Sequence, residues 1–122
     1  MNKTIKSGVN YVSGLAAEDA VQRCYASKGA AILNQRWRGQ AGEIDLVLRD
    51  GDYLVFVEVK KARTHAQAAQ RLQSRQAARI AQAAEEYLAV NGHSMLCDMR
   101  FDLALVDAAG RVEQINNVQM VN

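Results

Sequence analysis

Two runs of alternating apolar and polar residues, joined by an Asp-Gly pair, constrain the fold of this chain more than any other feature. The runs lie within residues 42–60, Gly-Glu-Ile-Asp-Leu-Val-Leu-Arg-Asp-Gly-Asp-Tyr-Leu-Val-Phe-Val-Glu-Val-Lys. Alternation over β-branched and aromatic residues is typical of a strand with two different faces. Asp50-Gly51 between the runs predicts a tight hairpin, because the favoured type I′ turn needs positive φ at both central residues.

The register of this hairpin follows from its turn. A two-residue Asp-Gly loop pairs Arg49 with Asp52 and brings Asp45 opposite Phe56, with Glu58 as the diagonal neighbour of Asp45. Diagonal neighbours lie about 7–8 Å apart, so side chains on one face can meet. A loop one residue longer would turn Asp45 to the other face of the sheet, so this prediction depends on the turn.

Asp45, Glu58 and Lys60 are therefore expected to share one face of a largely apolar sheet. Two carboxylates removed from water repel each other, and each loses hydration unless it is paired. A hard cation such as Mg²⁺ relieves both effects, since it takes oxygen ligands and commonly uses one or two carboxylates. A nearby lysine can then orient a metal-bound water or stabilise charge on a phosphate. The alternative is that Asp45 pairs with Arg49 or Lys60 and Glu58 is a solvated strand residue.

The same pattern extends beyond the hairpin. Aspartate and Glu-x-Lys on adjacent strands resemble the core of PD-(D/E)xK nucleases, and the chain from about Gly14 onward resembles the YraN-like family of small bacterial proteins. That second resemblance rests on Ala17-Glu18-Asp19, Gly29, Ile32-Leu33-Asn34, Trp37-Arg38, Gly42-Glu43-Ile44-Asp45, Asp50-Gly51, Val55-Phe56-Val57-Glu58-Val59-Lys60 and Arg100-Phe101-Asp102-Leu103.

The resemblance implies an α/β fold of the restriction-endonuclease type, with a mixed β-sheet flanked by helices as in Holliday-junction resolvases. It also implies metal-dependent hydrolysis of phosphodiester bonds in DNA, with branched or structured DNA as a candidate substrate. Mg²⁺ or Mn²⁺ would be held by Asp45, Glu58 and the backbone carbonyl of Val59, and Lys60 would activate the attacking water or stabilise the pentavalent phosphate. Glu18 in the first helix either completes this metal site or is a solvated glutamate that stabilises the helix.

Two departures from the family pattern leave a second function open. Relatives usually carry a cysteine and a basic residue where this chain has Gly39-Gln40, and a lysine where it has Gln76. In this alternative, the chain is a catalytically inactive module on a nuclease-like fold, and it binds nucleic acid or another protein. An exposed sheet edge that pairs between two copies would give a homodimer.

Positive charge is concentrated just after the hairpin. Residues 60–84 contain six basic residues and no acidic one, whereas the rest of the chain holds nine basic and 13 acidic residues. Such a concentration beside the expected metal site favours a nucleic-acid partner, expected to be DNA, although a solvated face remains the alternative. The residues expected to contact phosphate are Arg36, Arg38, Lys61, Arg63, Arg71, Arg75 and Arg79. Trp37 either stacks on a base or covers the edge of the sheet.

A length of 122 residues predicts one domain. We expect a poorly ordered segment over residues 1–12 and a single endonuclease-like domain over residues 13–122, with Ser13 as the N-cap of a helix from Leu15 to Lys28. Two cysteines without metal or redox spacing predict buried free thiols and a cytoplasmic protein. Neither a signal peptide nor a membrane-spanning run is recognisable, so no membrane association is expected.

Overall fold

The computed structural model describes residues 3–61, 74–94 and 96–118 of the chain. Two helices and five strands follow one another in the order α1 (Lys3–Ser27), β1 (Ala31–Arg38), β2 (Glu43–Asp50), β3 (Tyr53–Lys61), α2 (Ser74–Val90), β4 (Met99–Val106) and β5 (Val112–Ile115).

The five strands form one mixed sheet in the order β1-β2-β3-β4-β5. Neighbouring strands are antiparallel except for β3 and β4, which are parallel. Parallel neighbours need a crossover connection, and α2 lies in that connection. The expected α/β fold, a mixed sheet flanked by helices, is confirmed.

The helices pack on opposite faces of the sheet. Val21 and Tyr25 of α1 belong to a buried cluster with Leu46 and Leu48, whereas Val47 belongs to the cluster under α2. Successive side chains of a strand point to opposite faces, so β2 contributes to both clusters. Coverage of both faces explains why β2 and β3 are so apolar, and why a buried acid in them is unusual.

The hairpin confirms the predicted strands but corrects their register. Its two-residue loop is Gly51-Asp52, because Asp50 pairs with Tyr53 and Leu46 pairs with Val57. Gly51 has a φ of +60°, whereas the φ of Asp52 is not positive. These φ values fit a type II′ turn, with glycine first, better than type I′. The register therefore differs by two residues, an even number, and each side chain keeps its expected face.

The first helix is longer than the sequence predicted. It begins at Lys3, so Ser13 lies inside it and is not its N-cap. Gly8 and Asn10 lower the helix propensity of this stretch, but they do not block a helix as proline would, and the chain has no proline. In the described parts of the chain, neither helix has the length of apolar sequence that a membrane crossing requires.

Asp102 joins α1, β4 and the chain after β5. Its carboxylate accepts hydrogen bonds from the Tyr25 hydroxyl at 2.7 Å, from the Arg100 guanidinium at 2.9 and 3.1 Å, and from the Asn117 N–H at 2.9 Å. Arg100 also contacts Asp50 at 3.1 Å, at the end of the hairpin. A buried carboxylate with four donated bonds is satisfied, so Asp102 has the structural role that its place beside Arg100 suggests.

Candidate functional site

Asp45 and Glu58 come together at the end of the segment in which β2 and β3 pair. The last register pair is Leu46–Val57, and the Asp45 carboxylate then accepts the Val59 N–H at 2.8 Å. Glu58 is buried, with 8% of its surface exposed. One further step of the register places it opposite Asp45. The hairpin therefore holds two acids side by side, closer than the diagonal arrangement expected from the sequence.

The pKa of Glu58 shows the electrostatic consequence. This pKa is raised from 4.5 to about 8, mainly by burial and in addition by the hydrogen bond with Asp45 and by the charge of Asp45. Lys60 and Arg79 act in the opposite direction because their positive charges favour the carboxylate. Near neutral pH Glu58 therefore keeps its proton beside Asp45 unless additional positive charge replaces it.

Two side chains of α2 contact Glu58 from the face of the sheet that this helix covers. Arg79 donates to Glu58 Oε2 at 3.3 Å and Gln76 donates to the same oxygen at 3.4 Å. The other end of the Arg79 guanidinium donates to the Glu43 carbonyl at 3.0 Å. Gln76, at the position where the YraN-like resemblance leads us to expect a lysine, is thus a neighbour of the candidate site.

The oxygen donors of this site suit a hard divalent cation better than a soft one. Asp45 and Glu58 supply carboxylate oxygens, and the Val59 carbonyl lies on the next residue of β3. Mg²⁺ commonly uses one or two carboxylates and keeps several waters, so two acids are enough. A cation in place of the Glu58 proton would offset both causes of the raised Glu58 pKa, the loss of hydration on burial and the charge of Asp45. The residues present therefore fit Mg²⁺ or Mn²⁺.

Glu18 is not assembled with this pair. Its carboxylate contacts the Arg36 guanidinium at 2.7 Å, at the junction of α1 and β1. Within residues 3–61, 74–94 and 96–118, no group of three or more His, Cys, Asp or Glu residues lies close enough to hold a metal. The structure brings together two of the three acids expected at the metal, and a ligand role for Glu18 stays a prediction.

The basic residues expected to contact phosphate fall into three groups. Arg38 pairs with Glu43 at 3.2 Å but leaves 73% of its side chain exposed, and Lys61 is exposed at the end of β3. Arg36 contacts Glu18, and Arg79 points at Glu58 rather than along the helix surface. Arg63, Arg71 and the side chain of Arg75 lie outside the described part of the structure.

Trp37 packs into the layer between the sheet and α2. It meets Tyr87 edge to face, with ring centroids 5.3 Å apart, and Tyr87 meets Phe56 in the same way at 5.7 Å. The side chain is only partly exposed. Between the two interpretations of Trp37, covering the sheet fits this packing better than stacking on a base.

Sequence reasoning missed Glu86. Its two carboxylate oxygens accept the backbone N–H groups of Gln40 and Ala41, each at 2.7 Å, in the loop between β1 and β2. Glu86 follows Arg79 by seven residues, a spacing that places both on one side of a helix. That spacing was visible in the sequence, but the loop that this side of α2 faces was not.

Comparison with known proteins places these residues in a family. The family model described as "Uncharacterised protein family UPF0102" matches residues 17–106. A UPF0102 protein of Cereibacter sphaeroides is 51% identical over 109 residues, which cover 89% of this chain and 93% of that protein. UPF0102 proteins of Ruegeria pomeroyi and Dinoroseobacter shibae are 49% and 43% identical, over 88% and 89% of this chain and 88% and 81% of their own lengths. The YraN-like resemblance is thereby confirmed, and the chain belongs to the UPF0102 family.

Proposed function

We propose that this protein is a metal-dependent endonuclease that hydrolyses phosphodiester bonds in DNA, with branched or structured DNA as its candidate substrate. The observation that carries the proposal is the convergence of Asp45 and Glu58. Two acids lie side by side in an otherwise apolar sheet, burial and the neighbouring Asp45 raise the pKa of Glu58, and Lys60 lies two residues further along the same strand. Folding such a pair without a function is unfavourable, because a buried carboxylate loses hydration.

Each residue of the site has a distinct task. Asp45, Glu58 and the Val59 carbonyl hold Mg²⁺ or Mn²⁺, which when bound polarises the phosphate and lowers the pKa of a coordinated water. Lys60 keeps a positive charge beside the carboxylates, where it orients the attacking water or stabilises negative charge on the phosphate. Asp45 is itself oriented by the Val59 N–H, which donates to its carboxylate at 2.8 Å.

The substrate backbone is expected to approach from the side of the exposed basic residues. Arg38 and Lys61 lie at the ends of β1 and β3, and both are exposed. Arg63, Arg71 and Arg75 belong to the same proposed DNA-binding set by their place in the sequence. Phosphate contacts of this kind make binding fall with rising salt, so the salt dependence of DNA affinity is a measure of how many of these residues take part.

The experiment that tests the proposal compares cleavage of a four-way junction, a flap, a duplex and single-stranded DNA in Mg²⁺, in Mn²⁺ and in EDTA. Glu58→Ala and Lys60→Ala are expected to abolish the metal-dependent cleavage of the wild-type protein. Glu85→Ala and Lys28→Ala are the matched controls, because each removes the same kind of charge from an exposed position. Cleavage that survives in both site variants would come from a contaminant and would refute the proposal.

The second candidate function is an inactive module on the same fold. It is favoured by Gln76, which contacts Glu58 at the position where the YraN-like resemblance leads us to expect a lysine. This module would bind DNA without cleaving it in any divalent metal, and its affinity would fall with salt. If the chain fails to cleave DNA because it has no lysine at position 76, Gln76→Lys is expected to restore cleavage. A protein-binding module or a homodimer is distinguished by size-exclusion chromatography with and without DNA.

A further inference from the structure

The loop between β1 and β2 leads directly into the strand that carries Asp45. It consists of residues 39–42, and its backbone closes on itself through a hydrogen bond from the Gly39 N–H to the Gly42 carbonyl at 2.9 Å. Only Glu43 and Ile44 separate its last residue from Asp45. A displacement of this loop would therefore be passed to Asp45 through two bonded neighbours.

Glu86 holds the first half of the loop. Its Oε2 accepts the Gln40 N–H and its Oε1 accepts the Ala41 N–H, both at 2.7 Å. Hydrogen bonds to a charged acceptor are shorter and stronger than neutral ones, and here both oxygens of one carboxylate are used. The carboxylate therefore fixes two consecutive peptide groups to α2.

Arg79 holds the residue that follows the loop, at the start of β2. Its Nη1 donates to the Glu43 carbonyl at 3.0 Å, and its Nη2 contacts Glu58 Oε2 at 3.3 Å. One guanidinium thus connects the start of β2 with the acid of β3. Because Arg79 and Glu86 lie on the same side of α2, the helix contacts the loop and the residue that follows it.

A glycine lies beneath each of these side chains. A Cβ atom on Gly39 would come within 2.8 Å of Glu86 Oε2, and one on Gly42 would come within 2.4 Å of Arg79 Nη1. Gly42 also has a φ of +141°, which L-residues rarely adopt. The two glycines permit the close approach that both contacts require, so the loop and the helix fit each other on both sides.

We propose that Glu86 and Arg79 form a loop clamp, and that Glu86 is a positioning residue for the candidate site although it does not touch it. The clamp holds the β1–β2 loop so that Asp45 stays against the Val59 N–H and beside Glu58. The role in metal binding rests on the proposed function, whereas the role in placing Asp45 does not.

The test compares Glu86→Ala with Glu85→Ala, which removes the same charge from the adjacent, exposed position of the same helix. Amide hydrogen exchange of Gln40 and Ala41 reports the clamp, and exchange of the Val59 amide reports the position of Asp45. Glu86→Ala is expected to accelerate all three by about tenfold or more, because local opening then needs less free energy. Glu85→Ala is expected to leave them unchanged.

Mn²⁺ binding, followed by titration calorimetry of the same proteins, tests the consequence for the site. We expect Glu86→Ala to weaken Mn²⁺ binding by about 10-fold or more, as removal of groups that orient metal ligands commonly does. Unchanged Mn²⁺ affinity with a released loop would overturn the positioning role. If the wild-type protein takes up no Mn²⁺, the proposed function fails, but the Val59 amide still decides whether the clamp places Asp45.

Glu86→Gln provides a second variant that nearly keeps the side-chain volume and therefore folds even if Glu86→Ala does not. Its carboxamide offers one oxygen and one NH₂ group to two backbone donors, so only one of the Gln40 and Ala41 amides can keep its bond. We expect one of the two amides to exchange faster and Mn²⁺ affinity to fall by less than in Glu86→Ala. Wild-type exchange at Gln40, Ala41 and Val59 would overturn the clamp.

Discussion

Replacement of Glu58 by glutamine tests the physical basis of the candidate site through stability alone. The folded chain keeps a proton on Glu58 up to a pKa of about 8, whereas the unfolded chain loses it near 4.5. Between these values the folded state binds more protons than the unfolded state. The free energy of unfolding therefore falls as pH rises through this window.

The size of the effect follows from the pKa shift. One unit corresponds to about 1.4 kcal/mol, so a shift from 4.5 to about 8 sets an upper limit of about 5 kcal/mol. Relaxation around a buried carboxylate reduces this penalty, and we expect a loss of about 2–4 kcal/mol between about pH 5 and pH 8.5 in EDTA. Glutamine carries no charge at either pH and keeps the volume of the side chain, so Glu58→Gln lacks this component of the pH dependence.

The assay is urea unfolding of both proteins across this pH range. The stability of Glu58→Gln relative to wild type should rise with pH, because only the wild-type protein loses the stability that a protonated Glu58 contributes. Mg²⁺ or Mn²⁺ at about 100 times its Kd should then stabilise the wild-type protein at high pH by about 2.7 kcal/mol and leave the variant unchanged. A stability difference that stays constant from about pH 5 to pH 8.5 would refute the electrostatic reasoning about this site.

Four further predictions concern other parts of the molecule. Tyr25→Phe removes the hydroxyl that donates to Asp102 and should lower the free energy of urea unfolding by about 1–2 kcal/mol; an unchanged value would mean that the bond contributes nothing. Gly51→Ala should lose about 1–2 kcal/mol through its φ of +60° alone, because no atom lies within 4 Å of the added methyl group, and a larger thermal destabilisation would contradict this. Trp37→Ala should lower stability by about 2–4 kcal/mol while leaving the DNA affinity of the folded protein unchanged, and weaker binding by folded protein would favour base stacking instead. Arg38→Ala should reduce the slope of log affinity for DNA against log salt by about 1, and an unaltered slope would remove Arg38 from the interface.

The hairpin shows which structural features local sequence predicts and which it does not. Alternation identified β2 and β3 and the face of each side chain, but it placed the loop one residue too early. Asp50-Gly51 and Gly51-Asp52 both contain the glycine that a tight turn needs, so local preference hardly separates them. In the folded chain Asp50 pairs with Tyr53 and contacts Arg100, fifty residues away. Contacts at that distance cannot be found from turn propensity.

The arginines of α2 show a different limit. A run of basic residues without acids predicted a charged flank, and Arg79 was placed on it. The structure instead directs Arg79 to Glu58 and to the Glu43 carbonyl. Charge counting gives the sign of a region, but the rotation of a helix about its own axis decides which of its charges face the sheet. The packing of α2 on β2 sets that rotation.

The sequence by itself determined the strands, the family, and the face shared by Asp45, Glu58 and Lys60, because a strand alternates its side chains with a period of two whatever surrounds it. Tertiary structure alone decided that α2 brings Gln76 and Arg79 to this site and Glu86 to the loop before β2, and that Glu18 contacts Arg36 instead. These contacts join residues far apart in the chain, and their geometry is fixed by how two helices pack on opposite faces of one sheet.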